Sequence, residues 1–265
     1  MSGAHQLTPY LKQLRLSGIL DTLEVRNQQA ITEQWSYLEF LTRLIQDEVE
    51  RRGQKQLDLR VRRSGISPAK TLESFDFGFN PTINRQQIYD LATCEFVRAR
   101  RNALICGQTG VGKSHLAQSV AHEAARKGFD VVFTSAQAML SQIHAGRADG
   151  TYERRLAGYL KPHLLVIDDF GLKPLPQPAG PADLFDVIDG RYEKASIVLT
   201  SNRSPSEWHD LFGDPLLASA GLDRLAHRAI VVLITGQSYR LAQPPEGADG
   251  ALFAPPASPR GGNRR

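Results

Sequence analysis

Eight consecutive residues, Gly107-Gln108-Thr109-Gly110-Val111-Gly112-Lys113-Ser114, fit the spacing G-x-x-x-x-G-K-[ST]. Such a loop wraps nucleotide phosphates in backbone N–H groups. Its glycines admit backbone angles and close approaches that a β-carbon blocks. In that arrangement Lys113 reaches the β- and γ-phosphates and the Ser114 hydroxyl ligates magnesium. A glycine-rich turn ahead of an ordinary helix is the bland alternative, and the context argues against it. The apolar run 102–106 upstream is of strand type, and Leu116, Val120 and Ala124 downstream recur at helical spacing. The expected nucleotide-binding residues are 107 to 115. His115 is included by position, although its ring reads first as helix packing.

Further on, the apolar run Leu164-Leu165-Val166-Ile167 ends in Asp168 and Asp169. In phosphate-loop enzymes the first such acid holds magnesium, often through water, and its neighbour orients or activates the attacking water. Both would stand at the carboxyl end of a strand, where open α/β sheets bind ligands. A strand-ending turn is the competing role. Asn202 ends a third apolar run and suits a hydrogen bond to a water or a γ-phosphate oxygen. Ser204 followed by Pro205 already supplies the cap of the next helix, which leaves Asn202 for a ligand. Arg224, Arg228 and Arg240 are candidates for stabilising phosphate charge. A cation supplied by a neighbouring molecule can accelerate phosphoryl transfer by orders of magnitude, but spacing alone does not choose among the three. His115 has no Cys or His at metal-ligand spacing, and Ser114 has no adjacent base for acyl transfer.

Elements must hold these residues together, and the pattern says which. From residue 103 strand and helix alternate, as in a parallel sheet covered by helices. The candidate strands are 103–106, 130–134, 163–167, 196–200 and 229–234. Ahead of them, Ile88, Leu91, Phe96 and Val97 suggest a helix. The aromatic stretch 75–79 reads as packing at a domain entry. The first 66 residues read as a small helical DNA- or partner-binding domain. Tyr37, Leu38, Leu41, Leu44, Ile45 and Val49 share one helical face. Residues 51–63 hold six cations, Arg51, Arg52, Lys55, Arg60, Arg62 and Arg63, against the single acid Asp58. Such a cluster can follow a DNA backbone without reading bases, or it can simply be a solvated face. Residues 64–68 read as a linker, 67–242 as the nucleotide domain and 243–265 as a disordered Pro/Gly-rich tail.

The whole-chain balance narrows the class. With 265 residues and 41% apolar content, the chain can bury a substantial core. A net charge of +4 mildly favours polyanion partners. No apolar run approaches a membrane span, and no secretory leader is recognised. Two cysteines, Cys94 and Cys106, exclude a disulfide scaffold. The expectation is a cytoplasmic protein.

Taken together, residues 107–117, 164–171, 199–202, 222–225 and 236–240 make the chain resemble the AAA+ ATPases. Within them it looks like the IstB-like helpers of insertion-sequence transposition, which are related to DnaC-type helicase loaders. The resemblance implies a five-stranded parallel AAA+ sheet, magnesium-ATP hydrolysis and homo-oligomers with shared ATP sites on duplex DNA, with little sequence preference. It also implies a transposase as partner, or a replicative helicase if the chain is a loader. Gly110 to Ser114 match the Walker A positions, Asp168 and Asp169 the Walker B and Asn202 the first sensor. Arg224 best matches the finger that reaches ATP on the adjacent subunit. Asp169 stands where many relatives have Glu, which implies slow turnover, and no second-sensor arginine in a helical lid is evident.

Overall fold

The computed structural model describes residues 4–176 and 178–242; the expected tail, 243–265, lies outside them. The chain divides into two compact units, Met1–Ser64 and Gly65–Arg265.

The first unit is built of α1 (Ala4–Gln13), α2 (Ser17–Glu33) and α3 (Tyr37–Ser64). Gln34 ends α2 in the left-handed region, and the Ser36 hydroxyl accepts from Glu39 N–H to open α3. With no Gly or Pro until Gly53, α3 runs on through the whole basic stretch. Its core is small: Ile19, Leu23 and Leu44, with Leu11, Leu16 and Phe40 against them. The expected apolar face therefore divides. Leu44 is buried, while Tyr37, Leu38, Leu41, Ile45 and Val49 remain exposed. The reason is a close approach about a quarter turn away. A β-carbon on Gly18 would stand 2.7 Å from the Glu48 Cα, so α2 meets α3 along Leu44 and Glu48. There the Glu48 carboxylate accepts from Gly18 N–H at 2.6 Å, Ile19 N–H at 3.3 Å and Arg52 Nε at 2.6 Å. It satisfies free amides at the start of α2. Arg51 pairs with Asp21, so two of the six cations are engaged inside the unit. Lys55 and Arg62 lie on one side of α3, Arg60 and Arg63 well round from them.

The second unit opens with α4 (Arg85–Ala92) and α5 (Glu95–Arg98), so the single helix expected there is broken, at Cys94 with φ 61°. Then follow β1 (Ala103–Gly107), α6 (Lys113–Arg126), β2 (Val131–Ser135), α7 (Ala136–Ala148), α8 (Tyr152–Leu160), β3 (Leu164–Phe170) and α9 (Gly180–Arg191). The described chain closes with β4 (Ser196–Ser201), a short 3-10 turn at Pro205–Glu207, α10 (His209–Phe212), α11 (Pro215–Ala226), β5 (Ile230–Ile234) and α12 (Tyr239–Ala242). All five strands are parallel, in the order β2-β3-β4-β1-β5. The strands β1, β3 and β4 are near-continuous apolar runs because helices cover both faces. One core layer gathers Leu104, Leu165, Ile167 and Leu199 with Met139, Leu184, Phe212 and Leu225. At the amino ends of the strands Arg191, almost fully buried, donates to the carbonyls of Tyr159, Leu160, Pro162, His163 and Ser196. Burial without an acidic partner pushes its guanidinium down to about 10. The expected linker is not slack: Ser67 N–H donates to Gln118 Oε1 at 3.0 Å on α6.

Burial alone would raise the Glu48 carboxyl, but the bonds from Arg52 and the two amides outweigh it and hold it below its ordinary 4.5. Its contribution to stability is therefore complete above that value and is lost as pH falls through the lower, folded-state value. Glu48→Ala should cost about 1.5–3 kcal/mol at neutral pH, read from the thermal melt of the helical signal. The gap to wild type should narrow in acid; a gap unchanged to low pH would contradict this role.

Candidate nucleotide-binding site

Three adjacent strands deliver the chemistry. Because β4 pairs with both β3 and β1, the loop after β1, the acids ending β3 and Asn202 after β4 emerge side by side at the carboxyl edge. There a cavity of about 580 Å³ is lined by residues 109–115 together with Asp169, Asn202 and Arg240. Gly110 has φ 84° and Gly112 φ 100°. A β-carbon on Gly110 would fall 2.0 Å from Ser238 Oγ, and one on Gly112 2.8 Å from the Phe75 ring. Gly107 and Gln108, also expected to bind the nucleotide, stand outside that lining, and Lys113 Nζ donates back to the Gln108 carbonyl at 2.7 Å. Lys113 is 5% exposed. Burial lowers its pKa, against the opposing charges of Asp169 and Asp168. An anion entering the loop would restore a partner to this desolvated cation.

The acid pair is split by a defect in the ladder. The β3–β4 register shifts between Ile167 and Phe170, and Asp169 stands at φ 56°, so the bulge turns successive carboxylates into different surroundings. Asp168 is buried and Asp169 exposed to the cavity. Thr200, fully buried on β4, ties them together: Asp169 N–H donates to Thr200 Oγ at 3.0 Å, and the Thr200 hydroxyl donates to Asp168 Oδ1. Desolvation first, and the Asp168 charge second, hold the Asp169 carboxyl above its ordinary value, with Lys113 and Arg240 opposing. The Ser114 hydroxyl and the Asp168 carboxylate are hard oxygen donors, a set that fits magnesium.

The outer walls come from far apart in the chain. Residues 69–80 form one wall, pinned by His115. Its Nε2 lies 3.1 Å from the Thr71 carbonyl and 3.2 Å from Ser74 Oγ, and its ring stands edge-on to Phe75 at 5.1 Å. His115 therefore shapes the cavity as well as packing. Phe77 packs as expected, but Phe75 and Phe79 line the cavity. Residues 236–240 form the other wall: Tyr239 N–H donates to the Gly110 carbonyl at 3.0 Å and the Tyr239 ring meets Phe79 at 4.8 Å. Asn80 Nδ2 and Thr82 Oγ both donate to the Thr235 carbonyl, closing the two walls on each other. The three candidate arginines separate here. Arg240, on α12, lines its own chain's cavity. Arg224 lies outside that lining, on α11, paired with Asp189 at 2.8 Å. Arg228 occupies the turn before β5, at φ 54°.

Sequence reasoning passed over Thr200 and Phe75. A Thr two residues before Asn202, near the end of an apolar strand, was the available signal for the first; nothing local pointed to the second. Thr200→Val keeps the shape but removes the donor to Asp168 and the acceptor of the Asp169 amide. It should cost about 1–3 kcal/mol in urea unfolding and weaken the magnesium dependence of nucleotide binding. Unaltered stability would show that Thr200 does not hold the acid pair.

Known proteins resemble this chain in sequence and in fold. The model of the family described as IstB-like ATP binding protein matches residues 9–246. An ATP-binding protein of an insertion sequence in Mycobacterium tuberculosis is 39% identical over 232 residues, 87% of this chain and 92% of that protein. The ATP-binding protein of insertion sequence IS21 from Pseudomonas aeruginosa is 34% identical over 239 residues, 90% of each chain. Among solved structures, the replication initiator DnaA bound to AMPPCP and single-stranded DNA superposes with a TM-score of 0.53 and 25% identity. That likeness covers 67% of this chain and 53% of that one, about half of the initiator's length. On an AAA+ scaffold with its phosphate loop, acid pair and strand order in place, this chain belongs to the IstB-like ATP binding protein family.

Proposed function

We propose that the chain is a magnesium-dependent ATPase that assembles on duplex DNA, in the cytosol, and there recruits or activates a transposase. The observation that carries the reading is the separation of the arginines. Arg240 lines the chain's own cavity, while Arg224 stands outside that lining, part-exposed on α11. A site with one arginine supplied in cis and another presented outward is half of a shared site. Completion by a second chain makes hydrolysis depend on assembly.

Each residue then has a task. The loop amides of 109–114 and Lys113 hold the phosphates, and Phe75, Phe79 and Tyr239 offer a ring-lined wall for the adenine. Ser114 and Asp168 would hold magnesium, which when bound neutralises charge on the phosphate oxygens. Asp169, kept apart from Asp168 by the bulge, takes a proton from or orients the attacking water, and Asn202 fixes that water from β4. Arg240 balances phosphate charge in cis, and Arg224 does so on the neighbour's nucleotide. DNA as the assembly surface is supported by Lys55, Arg60, Arg62 and Arg63 on α3 and by the single-stranded DNA bound by the replication initiator that this fold resembles. The transposase is supported by the relatives' place in insertion sequences.

Hydrolysis rate and particle size, measured with no DNA, single strands and duplex, test the reading. Duplex should raise both; if it raises neither, the proposed function fails. Arg224→Ala should lower the DNA-dependent rate on the order of 10³-fold while the isolated chain keeps its ATP affinity. Lys113→Ala should lose nucleotide binding outright. A wild-type rate in Arg224→Ala would reject the assignment in trans.

A further inference from the structure

Arg224 is not a loose surface side chain. Its Nη1 donates to the Ala220 carbonyl one turn earlier on α11, at 2.9 Å. Its Nε lies 2.8 Å from Asp189 Oδ1 on α9. The guanidinium carbon stands 5.5 Å from the centre of the Phe185 ring and 5.9 Å from that of Tyr192. Acid, carbonyl and two aromatic rings thus converge on one cation, and three of the four come from α9 and the residue that follows it. The arginine nevertheless stays 33% and the aspartate 49% exposed, so the seat is open on its outer side.

Such an arrangement does little for the stability of the isolated chain, because ion pairs this exposed are screened by water. Its effect is on order. A free arginine samples many rotamers, and one that must reach a phosphate across an interface loses them on docking. A side chain already confined by a carboxylate and ring faces loses fewer, and its planar donors arrive in one orientation. Glu or Gln could not reproduce this seat without moving, because the carboxylate of Asp189 meets Nε directly.

We infer that Asp189, with the Phe185 and Tyr192 rings, is the positioning seat of Arg224, setting its guanidinium before a second chain docks against it. The inference rests on the reading that Arg224 serves the nucleotide of a neighbouring chain. The seat makes α9 a working part of the shared site although no residue of α9 lines the cavity of its own chain. Assembly then completes the neighbour's site by docking alone, with little ordering of the arginine left to do.

The test uses the full chain. Asp189→Asn keeps the size of the side chain and removes its charge. ATP affinity of the isolated protein and its melting temperature should stay at wild-type values, while kcat at saturating duplex DNA should fall roughly 10- to 100-fold with KM for ATP little changed. Phe185→Leu, which keeps apolar volume but loses the ring face, should lower kcat in the same direction by less. In an Arg224→Ala background, Asp189→Asn should produce no further loss, because it acts only through that arginine. If Asp189→Asn turns over as fast as wild type, or faster, while Arg224→Ala is inactive, the seat is overturned and the shared site stands. An equal further loss in the Arg224→Ala background also overturns the seat. If Arg224→Ala itself is active, the shared-site reading falls and the seat falls with it.

Discussion

The hydroxyl of Thr200 holds two adjacent carboxylates in two different environments, and much of the site depends on it. It accepts the Asp169 amide and donates to the Asp168 carboxylate from near the carboxyl end of a buried strand. Without that link, the shift in the β3–β4 ladder would leave an unpaired amide and a buried charge, each costly in a dry interior. With it, the bulge becomes usable: one acid is held down beside the phosphate loop, and the next turns up into the cavity at an angle that few non-glycine residues adopt. The strand order makes the link possible, because only with β4 between β3 and β1 does a β4 side chain stand beside both acids and the loop.

The cavity walls follow a different logic. Residues 69–80 and 235–240 are far apart in sequence, yet Asn80 and Thr82 meet the Thr235 carbonyl while Phe79 meets Tyr239. These two segments therefore enclose the cavity, and the second, running into α12, brings Arg240 into it. The loop glycines record how close this closure is, since a single β-carbon at Gly110 or Gly112 would collide with one wall or the other.

What could be read from the chain itself divides along the same line. The phosphate loop, the five strands and the acid pair were legible because each is a local pattern of residue type and period. The strand ends were read short at β3, which runs through the acids to Phe170, because a bulge leaves no mark in hydropathy. The N-terminal helices were legible as helices, but not the face they bury. Periodicity marked Tyr37, Leu38, Leu41, Leu44, Ile45 and Val49 alike, whereas the close approach of Gly18 to Glu48 brought Leu44 inside and left the other five in solvent. The roles of Phe75, Thr200 and Arg240 needed contacts made across many residues, which no window of sequence contains.

If a working ATP site draws on two chains, mixing two impaired variants reveals it most directly. Lys113→Ala lacks the phosphate-binding lysine but keeps Arg224; Arg224→Ala keeps the loop but lacks the outward arginine. Combined on duplex DNA, they form some interfaces in which an intact loop on one chain meets an intact arginine on the next. Hydrolysis, lost or strongly reduced in each variant alone, should return in the mixture in proportion to such interfaces. A mixture as inactive as its components, with mixed assemblies demonstrably formed, would contradict it.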